Sequence, residues 1–358
     1  MIKETDWKNV HILGRTIPEE GCLPMEWTAS GVEFEINCSE FGACFEAGSN
    51  IYMPWISVIF DGYPITHMPV QDGEHEYIFF RGLDPSIKHH VRISKDFQPI
   101  PGDATCFLNL KYIIHDGSIS KPADKKLKIE FIGDSITSGE GALGDRDEID
   151  WISPYFSSVE NYAVMTADEL DADFRLISQS GCGVLSAWDN NPNGILGNVY
   201  DSTLAEYDDR SYDHSSWKPD VIVINLGTND EGSFTNPAFT DPKTGKVYKN
   251  KKLPDGSYDP DDVRRFQLSV IEFLKHVRDV NPGSYILWVY GMLGFAFSEI
   301  IEDAVNEYKS STKDDNAAYM LLPETTWETF GSRGHPGPLS HKNASEVLIK
   351  HLKGILNK

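Results

Sequence analysis

From residue 127 to the C terminus, strand-like apolar runs alternate with stretches of helical periodicity. The strand-like runs are LKIEFIG, DFRLISQ, DVIVINLG, SYILWVYG and AAYMLLP. The helical stretches are SVENYAVMTADELD, DVRRFQLSVIEFLKHVRDV, SEIIEDAVNEYKSS and SEVLIKHLKGILNK. Continuous apolar strands that alternate with helices indicate a parallel sheet covered on both faces. The pattern therefore predicts an α/β three-layer sandwich, with a parallel sheet of about five strands, over residues 127–358.

The first 115 residues have a shorter period. Short alternating apolar runs such as GVEFEIN, ACFEAGS and HHVRISK are separated by turn signals, among them DG at 61–62 and at 72–73. This pattern predicts an N-terminal all-β sandwich, jelly-roll-like, over residues 1–115. Residues 116–126 are polar and contain Gly and Pro, which predicts a linker between the two domains.

One long polar segment interrupts the rhythm of the second half. Residues 234–262 are rich in turn-forming residues. Such a segment is either a lid over a ligand site or a tolerated surface insertion. The sequence leaves both alternatives open.

Charge and cysteine content narrow the class of protein. The chain has 32 Lys and Arg against 55 Asp and Glu, a net charge of −23, which argues against nucleic acid or an anionic membrane as partner. The N terminus lacks the apolar region of a signal peptide, so we expect a cytoplasmic protein, although a leader removed earlier would change the compartment. The five cysteines are scattered without paired spacing, which predicts free thiols and no metal site.

Polar residues and glycines follow the predicted strands at the point where each one ends. The first strand is followed by Asp134 and Ser135, the second by Gly181 and Gly183, and the third by Asn229; His335 precedes the last helix. The carboxyl ends of parallel strands meet at one edge of the sheet, where such folds bind their ligands. These residues are therefore expected to lie close together.

This set of residue types suits acyl transfer. A serine hydroxyl is a weak nucleophile without an adjacent base, and histidine has the pKa that suits the role of base. Attack on an ester carbonyl places negative charge on its oxygen, which fixed N–H donors stabilise. A glycine lets a backbone N–H approach closely, and an asparagine amide supplies a side-chain donor.

In this order, the blocks GDS, SGCG, GTND and HP resemble the SGNH (GDSL) hydrolase superfamily. The resemblance covers the whole α/β half. It implies that Ser135 is the nucleophile and His335 the general base. It also implies an oxyanion hole formed by the N–H groups of Ser135 and Gly181 and by the amide of Asn229.

A narrower resemblance includes the first half. A β-sandwich, a short linker and then KIEFIGDSITSGEG are similar to the layout of the family 2 carbohydrate esterases, the acetylxylan esterases, and so are GR at 14–15 and HHVRISK. This implies a carbohydrate-binding-like accessory domain and a serine esterase that removes O-acetyl groups from xylan-derived or related oligosaccharides. It implies an acetyl-enzyme on Ser135 and no cofactor.

The chain departs from the superfamily pattern at one position. Most members carry an aspartate three residues before the histidine, and this chain has Ser332 there. We therefore predict a Ser135–His335 dyad whose imidazole N–H is held by a backbone carbonyl or by an unidentified group.

Other polar and aromatic residues near these blocks have less specific roles. We expect Asp134 and Asp230 to hold their loops through hydrogen bonds, and His341 to be structural or exposed. Two tryptophans near the blocks, Trp188 and Trp327, are candidates for stacking on sugar rings, and core packing is an equal alternative for each.

Two further functions remain open at this point. One is an SGNH esterase, lipase or thioesterase acting on a non-carbohydrate ester. The other is a non-catalytic carbohydrate-binding protein, which the missing aspartate favours and the intact Ser, Gly, Asn and His disfavour. The expected partner is an acetylated oligosaccharide, and a homo-oligomer is compatible with the sequence.

Overall fold

The C-terminal half is built on a parallel sheet. The computed structural model describes residues 1–100, 102–203 and 211–356, so the last two residues of the predicted C-terminal helix lie outside it. Within those residues the sheet has five strands, which agrees with the predicted number. Its strands are β12 (Leu127–Gly133), β13 (Ala172–Ser178), β14 (Val221–Asn225), β17 (Tyr285–Tyr290) and β18 (Ala317–Leu321). Their order across the sheet is β13-β12-β14-β17-β18.

Alternation along each strand explains the three layers. Successive side chains of a strand point to opposite faces. In β12, Phe131 and Ile132 accordingly belong to two different apolar cores. The helices are α1 (Ser135–Ser138), α2 (Tyr162–Glu169), α3 (Thr228–Ser233), α4 (Pro260–Val280), α5 (Ser298–Thr312) and α6 (Pro338–Leu356). One core packs against α4 and α5, and the other against α2 and α6, which confirms the three-layer α/β sandwich.

The last helix begins earlier than its periodicity indicated. Apolar spacing marks it from residue 345, whereas α6 starts at Pro338. Proline is tolerated in the first turn because its missing N–H would have no partner there. The difference brings the start of α6 close to His335, which lies three residues before it.

The N-terminal half is the predicted β-sandwich. One antiparallel sheet contains β1 (Ile2–Glu4), β3 (Leu23–Pro24), β5 (Glu40–Gly48), β8 (Gly73–Arg81) and β10 (Phe107–His115). The other contains β2 (His11–Leu13), β4 (Gly31–Asn37), β6 (Trp55–Phe60), β7 (Tyr63–Pro69), β9 (His89–Lys95) and β11 (Ser118–Ser120). Inward-facing residues of both sheets share one apolar core, which includes Phe34, Phe45 and Val91.

Two segments between the main elements carry short strands. Strand β11, inside the segment 116–126, pairs with β4 and extends the sandwich. In the polar segment 234–262, β15 (Phe239–Thr240) and β16 (Val247–Tyr248) form a small antiparallel ribbon.

Two buried arginines join the sandwich to the α/β half. The guanidinium of Arg15 donates to the Glu130 carboxylate on β12 over 3.1 Å, with both side chains almost fully buried. Arg92 on β9 donates to the Asp168 carboxylate at the end of α2, 2.5 Å away. These arginines lie in the GR and HHVRISK segments, so both segments anchor the two halves to each other.

Two kinds of feature are missing from the described residues. None of their helices combines the length and the apolar character needed to cross a lipid bilayer. Nor do their His, Cys, Asp and Glu side chains form a group of three or more that is placed to hold a metal ion.

Candidate active site

The strand order places the site. In a parallel sheet of this order the direction of winding reverses between β12 and β14, and ligands bind at the carboxyl ends of the strands beside that point. Ser135 opens α1 directly after β12, and Asn229 lies in α3, which follows β14. Gly181 lies three residues after the end of β13. The structure thus brings these predicted residues to the same sheet edge.

Ser135 sits on a sharp strand-to-helix corner. The Asp134 side chain caps the helix, because its Oδ1 accepts a hydrogen bond from the Ile136 N–H over 3.0 Å. Gly139 ends the helix after one turn in the left-handed conformation, with φ of 71°. As the first residue of α1, Ser135 has an N–H without an acceptor in its own helix. Both this N–H and the hydroxyl are thereby available at the corner.

His335 contacts Ser135 directly. The His335 Nε2 lies 2.9 Å from the Ser135 Oγ, and its Nδ1 lies 3.1 Å from the carbonyl oxygen of Arg333. A carbonyl oxygen can only accept, so Nδ1 carries the proton in the neutral ring. Nε2 is then unprotonated and accepts from the serine hydroxyl. A backbone carbonyl therefore orients the imidazole, one of the two alternatives predicted from the sequence.

The residue at the position of the usual aspartate does not hold the imidazole. The Ser332 hydroxyl donates to the carbonyl of Leu143 over 3.2 Å. The histidine loop reaches the serine corner because Gly141 leaves room. A Cβ at Gly141 would lie 2.4 Å from the Ser332 carbonyl oxygen and 2.7 Å from the His335 Cβ.

Gly181 and Asn229 complete the group predicted for the oxyanion hole. Gly181 has φ of +81°, and a Cβ there would come within 3.0 Å of the Trp188 ring. The Asn229 Nδ2 donates to Asp134 Oδ2 and to the carbonyl of Cys182, both over 3.0 Å. These two bonds hold the amide in place and use both of its hydrogens. A substrate oxyanion would therefore share or take over one of them.

Two buried aspartates shape the loops around the site, as predicted. Asp230 accepts from the backbone N–H groups of Val184, Leu185 and Ser186, and so holds the loop that follows Gly181. Burial raises the pKa of Asp230 to about 6. Burial, together with the nearby negative charges of Asp230 and Glu140, raises the pKa of Asp134 to about 7.

A cavity of about 490 Å³ opens over the serine and histidine. The side chains around it are mainly polar and aromatic, and three of them come from the sandwich half. The lining residues are Tyr52, Gln98, Ile100, Ser135, Glu140, Trp151, Gln179, Ser180, Gly181, Trp188, Asn229, Arg333 and His335.

The two tryptophan candidates have different positions. Trp188 is about half exposed and lines the cavity. Trp327 is also exposed, but its ring lies under the Arg146 guanidinium, 4.2 Å away, and it does not line the cavity among the described residues. Only Trp188 is thus brought together with the serine and histidine.

Sequence reasoning missed several residues of the cavity. Glu140 stands in the GEG that follows the serine block, but nothing in that block assigned it a role. Gln98, Ile100 and Tyr52 come from the sandwich, so their position depends on how the two halves dock. Trp151 lies in a loop without a local signal.

His341 is a second histidine near the site, and it is structural. It is fully buried in α6, and its Nδ1 accepts from the backbone N–H of Tyr162 over 3.2 Å. Burial, and secondarily the neighbouring His335, lowers the pKa of His341 to about 3. The unfolded chain therefore binds a proton below about pH 6.5 that the native chain refuses until far lower pH.

This shift predicts a pH-dependent loss of stability. From about pH 7 to about pH 5, the free energy of unfolding of the wild type should fall by about 2 kcal/mol relative to His341→Gln. Urea unfolding of both proteins at several pH values measures the difference. Parallel pH curves for the two proteins would contradict it.

Comparison with known proteins agrees with this fold. The family described as GDSL-like Lipase/Acylhydrolase matches residues 129–348. The cellulase/esterase CelE of Acetivibrio thermocellus is 26% identical over 339 residues, which are 92% of this chain. The chain spans only 37% of the length of that relative.

Two solved structures share both halves. An acetyl xylan esterase from the rumen bacterium Butyrivibrio proteoclasticus is 37% identical, with a TM-score of 0.95, over 98% of this chain and 96% of that one. A family two carbohydrate esterase from Clostridium thermocellum, in complex with cellohexaose, is 23% identical with a TM-score of 0.83, over 97% and 99% of the two chains. The chain belongs to the GDSL-like lipase/acylhydrolase family and is homologous to the family 2 carbohydrate esterases.

Proposed function

We propose that this protein is a serine esterase that removes O-acetyl groups from xylan-derived or related acetylated oligosaccharides. The observation that carries the proposal is the 2.9 Å contact between Ser135 Oγ and His335 Nε2, on the floor of a cavity that Gly181 and Asn229 also line. The similarity to an acetyl xylan esterase along almost the whole of both chains supports the choice of substrate.

Acylation begins at the serine. His335 Nε2 takes the hydroxyl proton as Ser135 Oγ attacks the acetyl carbonyl carbon. The N–H groups of Ser135 and Gly181 and the Asn229 amide donate to the negative oxygen of the tetrahedral intermediate. When the intermediate collapses, the imidazolium gives its proton to the leaving sugar oxygen, and an acetyl-enzyme remains.

Deacylation uses the same groups in reverse. His335 takes a proton from a water molecule, which attacks the acetyl carbonyl of the acetyl-enzyme. Collapse of the second tetrahedral intermediate breaks the bond to Ser135 Oγ, and the proton returns to the serine. Acetate leaves, and the free enzyme is restored.

The lining of the cavity favours a sugar ester over a long acyl chain. Aromatic faces at Tyr52, Trp151 and Trp188 can lie against a sugar ring, while Gln98 and Gln179 offer hydrogen bonds to hydroxyl groups. The buried Gln179 Oε1 has no hydrogen-bond partner among the described residues, and a long acyl chain would leave it unpaired, which is unfavourable.

Paired tryptophan variants test this choice. Trp188→Ala should raise KM for acetylated xylo-oligosaccharides by about 3- to 10-fold, because an aromatic contact is lost. It should change KM for 4-nitrophenyl acetate much less, since that ester has no sugar. Acetate release under steady-state conditions measures both.

Trp327→Ala is the matched control, because Trp327 is also exposed but lies outside the cavity lining. Its KM for the sugar ester should equal that of the wild type. Equal increases in both variants would argue against stacking at Trp188. If the wild type hydrolyses 4-nitrophenyl acetate but releases no acetate from acetylated sugars, the proposed substrate is wrong, while the proposed serine mechanism still stands.

A further inference from the structure

Glu140 is a buried carboxylate in the wall of the active-site cavity that the steps above do not use. Its exposed fraction is 3%, and it follows Gly139, the residue that ends α1. Its Oε1 lies 3.1 Å from the Arg333 Nε, and its Oε2 lies 2.5 Å from the Ser180 Oγ. A buried carboxylate is unfavourable unless it is paired and hydrogen-bonded, and Glu140 is both.

The contact between Glu140 and Arg333 connects Glu140 to the general base, His335. Arg333 has a left-handed backbone, with φ of 58°, which is strained for a residue with a side chain. Its guanidinium donates to Glu140 Oε1 and to the carbonyl of Ile149, and its N–H donates to the carbonyl of Glu148. These bonds hold the residue whose own carbonyl accepts from His335 Nδ1.

The Glu140 carboxylate also lies near the reacting nitrogen. Its Oε1 is 3.7 Å from the His335 Nε2, the atom that receives the serine proton. A negative charge at that distance favours the imidazolium that forms during attack. The Arg333 guanidinium partly offsets this charge, so the main contribution of Glu140 is to the position of the base.

The contact between Glu140 and Ser180 connects Glu140 to the loop that carries Gly181 of the proposed oxyanion hole. The Ser180 N–H donates to Gln98 Oε1 over 2.8 Å, and the Ser180 Oγ lies 2.8 Å from the same oxygen and 2.5 Å from Glu140 Oε2. Ser180 directly precedes Gly181, and Gln98 belongs to the sandwich half. Glu140 therefore connects the base, the loop that carries Gly181 and the accessory domain.

We propose that Glu140 is an acidic positioning residue that orients His335 through Arg333, in place of an aspartate at the position of Ser332. The inference rests on the proposed function, because it assigns His335 the role of base. It explains how a chain without the usual aspartate can hold its imidazole in one orientation, and it adds a contribution of the sandwich to catalysis through Gln98.

Replacement of Glu140 by glutamine tests the inference. Glutamine keeps the shape of the side chain and removes its charge. The kcat for acetate release should fall by about 100-fold, the size of effect expected from a small misplacement of a catalytic group, while KM changes little. Glu140→Asp keeps the charge and should recover part of the loss. If the role of Glu140 were purely structural, the kcat of the two variants would not depend on whether the negative charge is kept.

Labelling of Ser135 by a fluorophosphonate gives a readout that is independent of the natural substrate. In that reaction the serine oxygen bonds to phosphorus, fluoride leaves, and His335 takes the proton. We expect Glu140→Gln to be labelled about 100-fold more slowly than the wild type. Asp147→Asn, which removes an exposed acid from a nearby loop, should label at the wild-type rate.

The outcomes separate this inference from the proposed function. A wild type that labels rapidly but releases no acetate would overturn the proposed substrate, while slow labelling of Glu140→Gln would still support the role of Glu140. Labelling of Glu140→Gln at the wild-type rate would overturn that role and leave the esterase intact. If Glu140→Gln does not fold, the labelling rate of Arg333→Gln tests the inference instead. Arg333 is partly exposed, so its replacement should disturb folding less than replacement of the buried Glu140. Slow labelling of that variant supports the inference, and an unchanged rate overturns it.

Discussion

Ser135→Ala is expected to lower kcat for acetyl-ester hydrolysis by about 10⁶-fold, the loss seen when the nucleophile of a serine hydrolase is removed. The reason is that the acetyl-enzyme cannot form without the Ser135 hydroxyl, and no other hydroxyl is hydrogen-bonded to His335 among the described residues. The residual rate would come from the oxyanion donors and the cavity alone. Acetate release from acetylated xylo-oligosaccharides and from 4-nitrophenyl acetate measures the effect on both substrates.

Ser138→Ala is the matched control for this variant. Ser138 lies in the same one-turn helix and is equally buried, but its hydroxyl donates to Ser178 and not to the base. Its kcat should stay within a few-fold of the wild type. If Ser135→Ala kept the activity of the wild type, the serine mechanism would be wrong, and so would the proposed role of His335 as its base.

Arg15→Met is expected to reduce the free energy of unfolding by about 3–5 kcal/mol, because it leaves the buried Glu130 carboxylate without its ion-pair partner. The side chains of Arg15 and Glu130 are 0% and 3% exposed, so water cannot replace the lost interaction. Arg15 also donates to the carbonyls of Tyr200 and Ser202 and lies over the Tyr212 ring. Urea unfolding at neutral pH measures the loss.

Two companion variants show whether burial causes this loss. Arg264→Met breaks an ion pair with Glu307 in which both side chains are nearly half exposed, and should cost less than about 1 kcal/mol. Adding Glu130→Gln to Arg15→Met removes the unpaired charge and should recover part of the stability. A loss below about 1 kcal/mol for Arg15→Met would show that the pair does not anchor the two halves.

Much of the architecture could be predicted from local patterns. The alternation in HHVRISK predicts a strand and this segment forms β9, and the helical stretches around residues 262–280 and 298–311 form α4 and α5. These predictions succeed because periods of two and of 3.6 residues report directly which side chains face a core. Apolar periodicity does not mark the start of α6 at Pro338, because the polar residues of its first turn carry no apolar period.

The candidate site was predictable in part, for a topological reason. Ser135, Gly181, Asn229 and His335 were found from their places after strands or before a helix. Their convergence follows from a parallel sheet, in which the carboxyl ends of all strands share one edge. Local sequence does not distinguish Trp188 from Trp327, because each stands near a predicted catalytic block and no local pattern shows which ring faces the cavity.

By itself, the sequence determined the two-domain architecture and the residues that can carry acyl transfer, because these depend on local periodicity and on the order of short motifs. The tertiary structure alone decided which groups surround those residues. Gln98 reaches Ser180 across 82 positions, Arg15 reaches Glu130 across 115, and Arg333 reaches Glu140 across 193. The first two contacts depend on how the two halves pack against each other, and the third on how distant loops of the α/β half meet. Local periodicity carries no information about either kind of packing.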